Sequence, residues 1–259
     1  MVTYTAKRDG FLDPIRPLLL PEIADDRNWV GGVDGLFGDR ERKFVPTYTM
    51  TIDRTTMANY EIIKEEELKS SSQLLDPKFK GRIVIQTPTA GGSFSSLCNL
   101  SIMYGENFVR ELLLKQNMIV TNDARQQAEW VVRGKYPIGI GLNETQLIPY
   151  VKQGLGKNIN DLEDKIIPVG TSFGGLFLFK NAPHPNVARV YINWLLSRST
   201  QVKLSRNVLL NSKRTDVPPA IKELVVDAAH LSNYYLYTTE EAVENSNRLL
   251  TMFKDVLKL

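Results

Sequence analysis

Long apolar runs are missing from this 259-residue chain. The best stretch, Phe11 to Ile23, is broken by Asp13, Pro14, Arg16 and Pro17, well short of the ~20 residues that span a bilayer. Cysteine is nearly missing too. The single Cys98 excludes an intramolecular disulfide. Its setting, Ser95-Ser96-Leu97-Cys98-Asn99-Leu100, reads as a small buried hydrophobe. The two histidines, His184 and His230, stand at no metal-ligand spacing, so no metal and no cofactor is expected. Lys/Arg blocks interleaved with aromatics are also lacking. With a net charge of only +3, a nucleic-acid partner is excluded. The opening Met1-Val2-Thr3-Tyr4-Thr5-Ala6-Lys7-Arg8-Asp9-Gly10 has neither the apolar core nor the cleavage site of a signal peptide.

What is present is an ordinary globular composition, 42% hydrophobic and 24% charged. The first segment, to about Gly38, is punctuated by Asp13-Pro14, Arg16-Pro17, Pro21 and Gly31-Gly32 and reads as a short helix and loops. Phe44 to Met57 is rich in β-branched residues and reads as extended. Strands are then expected at Arg82 to Gln86, Met118 to Val120, Ile138 to Leu142, Ile166 to Val169 and Leu176 to Phe179. Helices are expected after a cap at Ser93 or Ser95, at Asn107 to Gln116, Ala124 to Gly134, Glu144 to Val151 and Val187 to Ser197, with a final amphipathic run from Thr239 to Leu257. Gly154 to Lys165 reads as a polar loop. Short strands alternating with helices predict an α/β fold with a largely parallel sheet.

Enzymatic signatures are absent. Ser93, Ser95 and Ser96 lack the G-x-S-x-G elbow, and Gly170 to Gly175 fits neither a P-loop nor a dinucleotide fingerprint. No catalytic residue is assigned. One segment stands out chemically: Thr87-Pro88-Thr89-Ala90-Gly91-Gly92-Ser93. Its glycines permit close backbone approach, its hydroxyls donate hydrogen bonds, and the N–H groups of a helix start favour an anion. The competing reading is a plain strand-to-helix turn with a serine cap. Asp123 divides in the same way between ligand contact and helix cap.

From Leu74 onward the order of motifs becomes informative. Leu75-Asp76-Pro77-Lys78-Phe79-Lys80-Gly81-Arg82-Ile83 resembles a signature of type II periplasmic solute-binding proteins of bacterial ABC importers, the group that includes ferric-ion and organic-solute binders. Tyr48 to Asn59, Gly134 to Ile140, Ile167 to Phe177 and Ala182 to Ala188 resemble further family segments in the family's order. The resemblance implies a periplasmic-binding-protein-like type II fold, with two lobes of mixed or parallel sheets joined by two hinge-crossing strands. The lobes are expected as 1–56 (remainder of lobe one and first crossing), 57–168 (lobe two) and 169–259 (second crossing and helical part of lobe one). It implies capture of a small polar or anionic solute by hinge closure, an ABC permease as partner, and a periplasmic location. The implied ligand-binding residues are Thr55, Thr56, Thr89, Gly91, Gly92, Ser93, Asn122, Asp123, Asn143, Glu144, Ser172 and Phe173.

Two departures from the family pattern matter. Ferric-ion binders carry adjacent tyrosines where this chain has Leu142-Asn143-Glu144-Thr145, which disfavours iron held by a tyrosine pair. The family's opening β-α-β-α-β unit has no counterpart before Tyr4, so roughly 80 to 120 residues are expected to be missing, judged from usual domain sizes. An open lobe-one edge of that kind favours pairing of two copies. An effector-sensing domain of a regulator, or an enzyme on the same two-lobed scaffold, stays open as an alternative.

Overall fold

The computed structural model describes residues 2–53, 56–89, 91–142, 144–164, 166–171 and 175–258, with residues 2, 3, 144 and 145 described in their backbone only. No helix among them is long and apolar enough to cross a membrane. The chain divides into two compact units, Met1–Asp53 with Val169–Glu244, and Arg54–Pro168 with Asn245–Leu259.

The first unit starts with helix α1 (Val2–Arg8), strand β1 (Leu12–Asp13), the short helix α2 (Gly32–Leu36) and strand β2 (Thr51–Ile52). The chain then passes into the second unit. There it builds β3 (Thr56–Asn59), β4 (Ile83–Gln86), α3 (Gly91–Tyr104), α4 (Glu106–Lys115), β5 (Ile119–Thr121), α5 (Ala124–Val132), β6 (Ile138–Ile140), α6 (Glu144–Val151) and β7 (Ile159–Asp161). It returns through β8 (Ile167–Gly170) to β9 (Leu178–Phe179), α7 (Pro185–Leu196), α8 (Arg198–Val208), β10 (Tyr234–Leu236) and α9 (Glu240–Leu257).

In the second unit a five-stranded sheet has the order β5-β4-β6-β3-β7. The β4 strand runs parallel to β5 and β6, while β3 is antiparallel to both β6 and β7. The sheet is therefore mixed, not largely parallel. The segment expected as a polar loop contributes the edge strand β7, which alternation did not reveal because only three residues pair. Alternate residues of β4 face opposite ways. Ile83 and Ile85 join the core under α3 and α4, whereas Val84 packs with Ala128 and Val131 of α5 and Leu147 of α6. Helices thus cover both faces, which explains the unbroken apolar run of β4.

The signature loop leads into this sheet. Leu74 and Phe79 are fully buried in its core. The Asp76 carboxylate accepts the Lys78 N–H at 3.0 Å, closing the turn that Pro77 opens. Gly81 takes a left-handed φ of 73° and donates its N–H to the Gln116 carbonyl at 2.9 Å. Only glycine adopts that backbone without strain.

The first unit has smaller sheets, the β1-β9 ribbon and the three-stranded β10-β8-β2. Its core gathers Ile15, Trp29, Leu36 and Phe37 with Leu178 of β9 and Ile192 and Leu196 of α7. Phe44 to Met57, expected as extended throughout, contains among its described residues only β2 and the start of β3, with single bridges at Pro46 and Thr49. The tail also differs from the expected division at 169–259. From Asn245 onward α9 belongs with the second unit, where Leu249 and Phe253 are fully buried.

Candidate functional site

The parallel strands β5, β4 and β6 lie side by side, and each is followed by a helix: α5, α3 and α6. Their carboxyl ends therefore share one edge with three helix N-termini, the place where open α/β sheets hold ligands. Register sets the neighbours. Gln86 lies opposite Thr121, Ile85 opposite Ile140, and Ile140 opposite Thr56 of β3.

Two buried side chains tie this edge together. Ser93 Oγ accepts the Gln86 N–H at 3.0 Å and donates to the Ile140 carbonyl at 3.2 Å. Gln127, from α5, donates Nε2 to the same carbonyl at 2.9 Å, and its Oε1 accepts from Gln86 Nε2 at 2.8 Å. The ends of β4 and β6 are thus joined by one hydroxyl and one amide, both without exposed surface. Gly141 follows β6 at φ 71°, and a Cβ there would stand 2.6 Å from Ser93 Cα. A Cβ on Gly92 would stand 3.2 Å from the Gly141 carbonyl oxygen. The glycines admit α3 against β6.

Toward solvent, the Thr87 hydroxyl donates to Asn122 Oδ1, which leaves the exposed Asn122 amide N–H groups directed elsewhere. Thr89, two residues after Thr87, is half-buried. Thr56 is buried, and its hydroxyl has no partner among the described residues. Buried hydroxyls are seldom left so.

The expected site residues divide accordingly. Thr56, Thr89, Gly91, Gly92 and Asn122 are brought to this one edge. Ser93 is brought there too, buried inside α3 with its hydroxyl spent on Gln86 and Ile140, where it supports the edge. It does not cap the helix, which begins two residues earlier at Gly91. Asp123 is exposed and caps α5, accepting from the Arg125 N–H at 2.8 Å and the Gln126 N–H at 3.3 Å. Both cap bonds fall on Oδ1 of its carboxylate. Thr55, Asn143, Ser172 and Phe173 lie outside the described residues, as does the side chain of Glu144, whose backbone opens α6. Sequence reading missed Gln127, Gln86 and Gly141. Gln127 stands on the apolar face of α5 beside Ala128 and Val131, a position where a buried amide signals a polar network.

No family model matches the chain. It is 25% identical over 228 residues, 78% of this chain, to iron uptake protein A1 of Synechocystis. The chain spans 62% of the length of that curated relative. Iron-bound HitA from Pseudomonas aeruginosa superposes with a TM-score of 0.68 at 19% identity, covering 97% of this chain and 78% of that one. The substrate binding protein of an ABC transporter from Agrobacterium tumefaciens superposes with a TM-score of 0.61 at 13% identity, covering 98% and 76%. At these identities the likeness is one of fold, and the chain shares the periplasmic-binding-protein-like α/β fold of these two proteins.

Proposed function

We propose that this chain captures a small solute for import, as the periplasmic binding component of an ABC transporter, and makes or breaks no bond. The observation that carries the reading is the convergence of three strand ends and three helix starts on one edge of the second unit, lined by Thr56, Thr89, Gly91, Gly92 and Asn122. Neutral hydroxyl and amide groups beside the backbone N–H groups of a helix start suit an oxygen-rich or anionic solute. The iron-uptake relative and the fold neighbours support the transport role, with an ABC permease as the macromolecular partner.

The name of the Synechocystis relative points toward iron. Here Asn143 and Glu144 stand where the resemblance places a tyrosine pair, so iron is proposed to arrive as a complex whose own oxygens complete the shell. A thermal-shift series tests this with ferric citrate, citrate alone, phosphonates, sugars and polyamines. Stabilisation by an anionic or hydroxylated compound, weakened in Thr89→Ala and Asn122→Ala, supports the reading. Stabilisation by polyamines or bare cations alone sinks it.

A further inference from the structure

Lys213 has 2% of its surface exposed and sits in the first unit, in the stretch joining α8 to β10. Its Nζ donates to the Gly35 carbonyl of α2 at 3.0 Å and to Thr47 Oγ1 at 2.6 Å. Thr47 Oγ1 in turn donates to the Leu36 carbonyl at 3.2 Å. The backbone on either side is equally committed: the Lys213 N–H donates to the Tyr48 carbonyl at 2.9 Å, and the Lys213 carbonyl accepts from the Val30 N–H at 3.0 Å. One residue thus fastens three separate segments.

The acceptors around Nζ are both neutral and they number two. A neutral amine has two N–H groups and is fully served; an ammonium has three and a charge that this site does not compensate. No carboxylate among the described residues pairs with it. On its own stretch Asp216, and across from it Glu22, are engaged by Arg214 at 2.8 and 2.9 Å. On α2, Asp34 pairs outward with Arg16 at 2.5 Å. In the loop after α2, Asp39 spends its carboxylate on the N–H groups of Lys43, Phe44 and Val45. The charged group that does bear on Lys213 is Arg42, of the same sign.

We propose that Lys213 is a proton-operated latch of the first unit, closed around the neutral amine and loosened when the amine takes up a proton. Burial, and then Arg42, bring the amine down from 10.5 to about 7. The sign follows from linkage. An unfolded lysine holds its proton up to about pH 10, so between pH 7 and that limit the unfolded chain binds the extra proton and folding gains with rising pH. Below pH 7 both states are protonated and the gain is gone.

The latch is independent of solute capture and is tested without ligand, on the whole chain. Urea unfolding is followed from pH 6 to 9 for the wild type, Lys213→Met and Lys213→Arg. The wild-type unfolding constant is expected to fall about tenfold per pH unit above pH 7 relative to Lys213→Met, while Lys213→Arg, which keeps its charge, stays weak throughout. Wild type and Lys213→Met changing in parallel overturns the latch. Should the variants not fold, the Lys213 side-chain carbon resonance of the wild type decides: a midpoint near pH 7 supports it, and one above pH 9 overturns it.

Discussion

At the scale of single residues, burial decides chemistry that the sequence left between alternatives. Cys98 is buried within α3, and burial raises its thiol to about 11, against a smaller opposing effect of a hydrogen bond to Ser246. At pH 8 only about one molecule in a thousand is a thiolate, and the thiolate is the nucleophile. Alkylation of the native chain by iodoacetamide is expected to run at least a hundredfold slower than in 8 M urea; rates within tenfold of each other refute a closed core at α3. The sequence context, with Leu97 before Cys98 and Leu100 two residues after it, made this legible. Asp39 was not. It has no exposed surface, and its carboxylate accepts three successive backbone N–H groups, from Lys43 and Phe44 at 3.0 Å and Val45 at 2.7 Å. Asp39→Ala leaves those donors in a buried turn without an acceptor, a loss of about 3 kcal/mol, measurable as a lower urea midpoint at unchanged slope. A shift under 1 kcal/mol means that water replaces the carboxylate.

At the scale of elements, strand ends and helix starts were legible because glycine, proline and Asx residues mark them. Asp76-Pro77 and Lys80-Gly81 bracket a turn in both readings, whereas α3 begins at Gly91, three to five residues before the expected start. Packing between elements was not legible. Nothing in Ile138-Gly139-Ile140-Gly141 announces that Gly141 lies against the Ser93 backbone, since that contact joins residues far apart in the chain. It has a consequence for the site. An alanine at Gly141 meets both a left-handed φ of 71° and a Cβ position 2.6 Å from Ser93 Cα and N. Gly141→Ala is therefore expected to cost about 2–3 kcal/mol and to push α3 from β6, releasing the bonds of Ser93. Loss of protection at the Gln86 amide, which Ser93 Oγ accepts at 3.0 Å, reports that displacement in hydrogen exchange. An unchanged Gln86 amide in a destabilised variant places the strain elsewhere.

For the whole molecule, the order of the chain and the division of its mass are separate matters. The family resemblance carried the two-unit organisation with returns of the chain, because motif order is written in sequence. Membership of the tail is set by three-dimensional contact. Its apolar positions look alike whether they bury against one unit or the other. In α9 the change of allegiance falls between Glu244 and Asn245. Before it, Arg40 pairs with Glu244 and Lys7 with Glu240 within the first unit. After it, Arg248 pairs with Glu106 of α4, and Phe253 meets Phe94 of α3 edge-on with ring centroids 5.9 Å apart. A fully buried phenylalanine cut to alanine costs about 3–5 kcal/mol, and that loss should appear where the ring packs. Phe253→Ala is expected to raise hydrogen exchange across α3, α4 and β4 while leaving α2 and α7 near their wild-type rates. Native-state exchange separates the two units directly, because local openings carry their own free energies. Faster exchange in α2 and α7, with α3 unchanged, assigns the end of α9 to the first unit and reverses the division; uniform loss over both means that the units unfold as one cooperative body.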